Sequence, residues 1–234
     1  MRKVRLAEGE YYHIYNRGVE KCNVFIDDSD YNRFLFLLAA CNDTSPLLNS
    51  QFHYRGLASI GSIQNRKKRD KLVDIICFCL MSNHFHLLLK QRKDRSISLF
   101  MQKLGTGYTM YFNTKRERSG SLFQGTFKAV HIDKQNYLNQ LVTYIHLNPI
   151  DLVEPKWKEN GIQNWQSSYD FARGYRWSSY MDFLRDGSRF KNILSLDIVF
   201  ELFGSVSTDE KMAKKFVKGV AGYLSDYTIE AKPL

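Results

Sequence analysis

The feature that most constrains this chain is an apolar run from Val73 to Leu80, followed by Met81-Ser82-Asn83 and a second stretch, His84–Lys90. The run predicts a buried strand, the short break a turn, and the pair together a β-hairpin. The second strand begins His84-Phe85-His86-Leu87-Leu88-Leu89. Alternate residues of a strand point to opposite faces, so His84 and His86 share one face while Phe85 and Leu87 point into the core. Neighbours two apart on one face lie roughly 6.5–7 Å apart, close enough for two imidazoles to converge on one cation. Two histidines on a solvated strand face have the same pattern, so the motif alone does not decide for a metal.

Further elements follow from spacing. Tyr11–Asn16 reads as a first strand ended by Gly18, and Phe127–Ile132 as a short alternating one. Asp27 or Asp28 is placed to cap a helix to about Cys41, with Tyr31, Phe34, Leu35 and Leu38 on one stripe. Ser96–Phe112 has helical spacing through Ile97, Phe100, Met101, Leu104, Tyr108 and Tyr111. Asn42–Asp70 is polar and basic and reads as a long loop or insertion. Glu210–Leu224 is amphipathic, within a C-terminal region of aromatic loops and helical patterns.

A helix from a cap at Asp133 to about Asn148, stopped by Pro149, carries the second candidate group. Leu138, Leu141, Val142 and Ile145 form its buried stripe. Tyr144 lies off that stripe, so its hydroxyl need not be buried, and Asn148 sits one turn on. The Asn148 amide oxygen is a candidate third metal ligand, since hard cations accept carbonyl-type oxygens. Tyr137 competes with Tyr144 for the same face, and both tyrosines have an ordinary structural reading.

Lys plus Arg number 34 and Asp plus Glu 24, a formal charge of +10, which makes an anionic polymer a plausible partner. Candidate phosphate contacts are Arg17, Lys67, Lys68, Arg69, Arg92, Lys93, Arg95, Lys115, Arg116, Arg118 and Lys128, and candidate base-stacking rings are Tyr108, Tyr111 and Phe123. The N-terminus leads into polar residues rather than an apolar secretory core, and no run approaches the roughly 18–20 apolar residues of a membrane span. Cys22, Cys41, Cys77 and Cys79 form no disulfide framework. The expected compartment is the cytoplasm, in association with the nucleoid.

Five ordered stretches carry a resemblance: Tyr12-His13-Ile14-Tyr15-Asn16-Arg17-Gly18, Cys79–Leu89, Leu122-Phe123-Gln124-Gly125-Thr126-Phe127-Lys128-Ala129, Tyr144-Ile145-His146-Leu147-Asn148-Pro149 and Trp177-Ser178-Ser179-Tyr180. In that order they resemble the single-tyrosine HUH insertion-sequence transposases, and most of all the REP-associated tyrosine transposases. The resemblance implies an α+β fold, an antiparallel β-sheet with helices packed on it, related to ferredoxin-like proteins. The sequence departs from the family pattern in a basic insertion at about 42–70 and in a mostly helical C-terminal extension over 156–234, beyond a catalytic domain over 1–155. It implies His84, His86 and Asn148 as ligands of Mg2+ or Mn2+, Tyr144 as nucleophile, and single-stranded DNA hairpins as substrate. The implied chemistry is cleavage and rejoining through a 5′-phosphotyrosine, without ATP, as the missing G-x-x-x-x-G-K-[ST] loop agrees. His146, the metal or water is left to take the phenolic proton. Relatives act as monomers or as homodimers that exchange the tyrosine helix. Three rivals share these features: a domesticated hairpin-binding protein, a non-catalytic nucleic-acid module, and a metal-dependent phosphoesterase that uses water.

Overall fold

The computed structural model describes residues 4–45, 70–184, 189–203, 210, 213–215 and 217–218. The hairpin forms as its pattern predicts. Strand β2 (Val73–Met81) and strand β3 (His84–Gln91) pair antiparallel across a turn at Ser82 and Asn83. Strand β1 (Tyr11–Arg17) lies against the other edge of β3, and β4 (Lys128–Ile132) against β1, giving an antiparallel sheet in the order β2-β3-β1-β4. Backbone bonds from Gly18, Val24 and Phe25 to the carbonyls of Asn83 and Ser82, at 2.8, 2.8 and 2.9 Å, tie the turn to the segment after β1.

Both faces of the sheet are covered, which explains why β2 reads as one apolar run rather than an alternation. On the first face, Tyr12, Ile14, Ile75, Phe78, Leu80, Phe85, Leu87 and Leu89 pack with helix α1 (Asp28–Ala40) and helix α2 (Ser96–Lys115). On the second, Ile76, Cys77, Cys79, Met81 and Leu88 pack with helix α3 (Gln135–Leu147). A bulge between Ile75 and Cys77 sends Ile76 and Cys77 to the same core. Asp27 caps α1: its carboxylate accepts from the backbone N–H of Ser29 and Asp30, and Asp30 reciprocates.

The tyrosine helix departs from the sequence expectation at both ends. Its N-cap is Lys134, with no side-chain cap, so Asp133 does not play that part. Pro149 does not stop the chain; it enters the first turn of a 3-10 segment, Asn148–Leu152, where proline's missing N–H costs nothing.

Beyond it come α4 (Trp157–Asn160), α5 (Trp165–Gly174), α6 (Tyr180–Leu184) and α7 (Leu196–Phe203). Trp157, Tyr169, Ala172, Tyr180, Phe183 and Val199 from these helices are buried in the second core. The same segment also satisfies the outer edge of β2. Leu80 N–H donates to the Trp177 carbonyl at 2.9 Å, Ser179 N–H to Phe78 at 3.1 Å, and Ser195 N–H to Ile75 at 2.9 Å. The two ends of the Asn42–Asp70 stretch meet, with Asn42 holding the Val73 backbone through two 2.9 Å bonds. Lys67, Lys68 and Arg69 lie outside the described residues, as does most of Glu210–Leu224. Among the described residues no helix is long and apolar enough to cross a membrane.

Candidate active site

The register of the sheet builds one end of the second face. Arg17 of β1 lies opposite His84, and Tyr15 opposite His86. Lys128 of β4 continues the Tyr15 row, and His13 follows two residues along β1. Two of these side chains, His86 and His13, meet Tyr144 of the tyrosine helix. The rings of His84 and His86 have centroids 5.0 Å apart, and Tyr144 sits edge-on to His86 at 5.6 Å and to His13 at 6.3 Å. Asn148 begins the next turn, its amide N–H donating to the Tyr144 carbonyl at 2.9 Å. Thus Tyr144, His84, His86 and Asn148, separated by up to 64 positions in the sequence, are brought to one place.

Hydrogen bonds fix which nitrogen each imidazole presents. Asn83 Nδ2 donates to the Lys21 carbonyl at 3.4 Å, which turns Asn83 Oδ1 towards His84 Nδ1 at 2.6 Å. An amide oxygen only accepts, so His84 Nδ1 carries the proton and Nε2 keeps the lone pair. His86 Nδ1 meets His13 Nε2 at 2.9 Å, leaving His86 Nε2 as the nitrogen not used in that bond. Burial first, then the neighbouring titratable groups His84 and His13 and the cations Lys158 and Arg17, holds the His86 pKa well below its usual value, so the ring is neutral at physiological pH. Neutral imidazoles with oriented outer nitrogens are the form in which histidine binds metals. Among the described residues no three His, Cys, Asp or Glu side chains are grouped to hold a metal. The residues that could hold a divalent cation are His84, His86 and Asn148, whose amide oxygen lies 3.3 Å from Lys158 Nζ.

Two expectations change. Tyr144 has no exposed surface, because α3 is covered by the sheet on one side and by α4 to α6 on the other. The leucine stripe marked only the first of these faces. His146 is no proton acceptor for Tyr144: two residues on, it points about 200° round the helix, bonds Ser179 Oγ at 2.9 Å and stacks on Tyr180 at 4.8 Å. Burial pushes its pKa down to about 3. Tyr137 is also buried, about 10 Å further up the helix axis.

Of the proposed phosphate contacts, Arg17 and the exposed Lys128 lie on the histidine face. Arg92, Lys93 and Arg95 stand beyond the far end of β3, with Arg92 paired to Asp74 at 2.8 Å and Lys93 to Asp70 at 2.7 Å. Lys115 and Arg116 are engaged with Asp27 and Asp30, at 2.7–3.0 Å. Arg118 donates to the Ser121 carbonyl at 3.2 Å. Tyr108 and Phe123 are buried in the first core and do not present rings to bases, and Tyr111 bonds Asp30 at 3.2 Å. A cleft of about 760 Å³, between α2 and residues 120–127, opens on the opposite face from the histidines.

Sequence reasoning missed His13 and Lys158. Lys158 Nζ lies 2.9 Å from Asp151 and 3.3 Å from Asn148 Oδ1, and 5.0 Å from the Tyr144 ring centre. No local pattern marks either residue. His13 did lie inside one of the recognised motifs.

A family model described as IS200-like transposase matches residues 41–148. No curated protein matches the chain. Among solved structures the chain is similar to a REP-associated tyrosine transposase bound to a REP hairpin, at 11% identity over 78% of this chain and 82% of that one, with a TM-score of 0.48. It is also similar to tRNA(His) guanylyltransferase from Saccharomyces cerevisiae, at 14% identity over 74% of each chain, with a TM-score of 0.35.

Proposed function

From the similarity of residues 41–148 to an IS200-like transposase model, we propose that this protein cleaves and rejoins single-stranded, hairpin-bearing DNA through a covalent bond to Tyr144. One observation carries the reading: Tyr144 packs edge-on to His86 at 5.6 Å and stands one turn from Asn148.

His84, His86 and Asn148 would hold Mg2+ or Mn2+, which when bound would supply neutralisation of part of the charge that makes a phosphodiester resist attack. Asn83 sets the His84 tautomer, and His13 holds the orientation of the His86 ring. Arg17 and Lys128 guide the strand along the sheet face. Tyr144 Oη forms the new bond to phosphorus as the P–O3′ bond breaks. The phenolic proton passes to solvent, and the departing 3′ oxygen takes up one proton. The 5′-phosphotyrosine retains a phosphodiester, so a 3′-OH attacking it reverses the step and joins strands. Because Tyr144 is covered, the strand has to enter between the sheet and α3.

The test incubates the protein with labelled single strands from the flanks of its own gene and divalent metal, then maps any adduct. DNA on the peptide containing Tyr144 supports the reading; DNA on Tyr137, or on no tyrosine, sinks it. The complete burial of Tyr144 favours a second reading, a domesticated hairpin-binding protein that does not cut. Tight hairpin binding with no adduct selects it.

A further inference from the structure

Lys158 lies outside the residues matched by the family model, on the short helix α4. Its neighbour Trp157 is buried, the Lys158 Nζ lies 5.7 Å from the Trp157 ring centre, and only 16% of the Lys158 side chain is exposed. An ammonium so placed needs partners. It has Asp151 at 2.9 Å, itself 31% exposed, and the neutral Asn148 oxygen at 3.3 Å. Its Nζ stands 5.0 Å from the Tyr144 ring centre. Its charge, with that of Arg17, also bears on His86. The tyrosine and the two histidines are therefore flanked by cations from opposite sides: Arg17 from the sheet and Lys158 from the C-terminal segment. Among the described residues, Asp151 is the carboxylate paired with Lys158.

Resting on the reading that Tyr144 attacks DNA, we propose that Lys158 is a phosphate-binding residue of this site, held by Asp151 while it exchanges Asn148 Oδ1 for the scissile phosphodiester. Asp151 and Asn148 store the ammonium when DNA is absent. When the phosphodiester arrives, its non-bridging oxygen replaces Asn148 Oδ1 as the partner of Nζ. That exchange leaves Asn148 Oδ1 available to a cation. The C-terminal segment thereby supplies a substrate contact as well as covering the second core.

Lys158→Gln and Lys158→Arg separate charge from hydrogen bonding, since glutamine keeps an N–H donor without the cation and arginine keeps both. Single-turnover cleavage at saturating DNA should fall about a hundredfold in Lys158→Gln and stay within about tenfold of the parent in Lys158→Arg. Mn2+ binding without DNA, read by calorimetry, should be unchanged or tighter in Lys158→Gln, because a like charge has gone. Equal cleavage by the two variants overturns the proposal, as does loss of Mn2+ binding in Lys158→Gln. If Lys158→Gln does not fold, Asp151→Asn decides. That change removes the ion pair but keeps the ammonium, so at least about a tenth of the rate should remain, and a hundredfold loss overturns the proposal. Parent protein that forms no adduct at Tyr144 brings down the underlying reading, whereas a parent adduct with an unaffected Lys158→Gln brings down only this inference.

Discussion

At the residue scale, the site depends on which imidazole nitrogen faces inward. His84→Ala and His86→Ala should each abolish divalent-metal binding, measured by Mn2+ titration, while thermal melts change little for His84, whose strand neighbours Phe85 and Leu87 hold the first core. His13→Ala should weaken Mn2+ binding by about 10–100-fold without touching the metal, since it removes the partner that orients His86. Unchanged affinity in that variant would show that the 2.9 Å bond is only packing. His146 gives a prediction with a sign. Its folded pKa is down to about 3, against 6.5 in the open chain, so the unfolded state takes up the proton more readily. The stability this neutral ring contributes is complete above pH 6.5 and is lost as pH falls from there towards 3. Denaturant midpoints should therefore decline through that window, and His146→Gln should flatten the decline by up to about 1.4 kcal/mol per pH unit. An unaltered slope would mean that other groups, His86 among them, carry the acid sensitivity.

At the element scale, the hairpin, α1 and α2 were legible because each is specified by its own spacing: a buried run broken at Ser82-Asn83, and apolar stripes with Asp27 placed to cap. The shared face of His84 and His86 was legible for the same reason, since strand alternation is local. The burial of Tyr144 was not, because its second covering layer comes from residues after 156 that no periodicity in α3 announces. Nor was Lys158, whose meaning depends on a turn at Pro149 that the sequence reads as a stop. Ser179 shows how such non-local joints matter. Its hydroxyl receives the Phe78 N–H at 2.9 Å on the β2 edge and meets His146 at 2.9 Å on α3. Ser179→Ala leaves both groups unsatisfied in the interior, so it should cost about 1–3 kcal/mol in a denaturant melt. A cost near zero would mean that the backbone bond from Ser179 N–H to Phe78, at 3.1 Å, is enough to seal this edge.

At the scale of the whole molecule, a net charge of +10 does not translate into ten phosphate contacts. Lys115 and Arg116 are held by Asp27 and Asp30, and Arg92 and Lys93 by Asp74 and Asp70. Lys115 and Arg116 also stand at the end of α2, which packs on the face opposite the histidines. Arg17 and Lys128, by contrast, flank the histidines on one face. Affinity for single strands falls with salt by a log–log slope of about −0.7 per phosphate neutralised. Arg17→Ala and Lys128→Ala should therefore each reduce the magnitude of that slope by about 0.7, whereas Lys115→Ala should leave it unchanged while lowering stability through the loss of its two 2.8 Å ion pairs. Fluorescence anisotropy with one hairpin oligonucleotide across a salt series gives all three slopes. If Lys115→Ala flattens the slope and Arg17→Ala does not, the strand runs over the α1–α2 face, and the histidine face is not where this protein meets DNA.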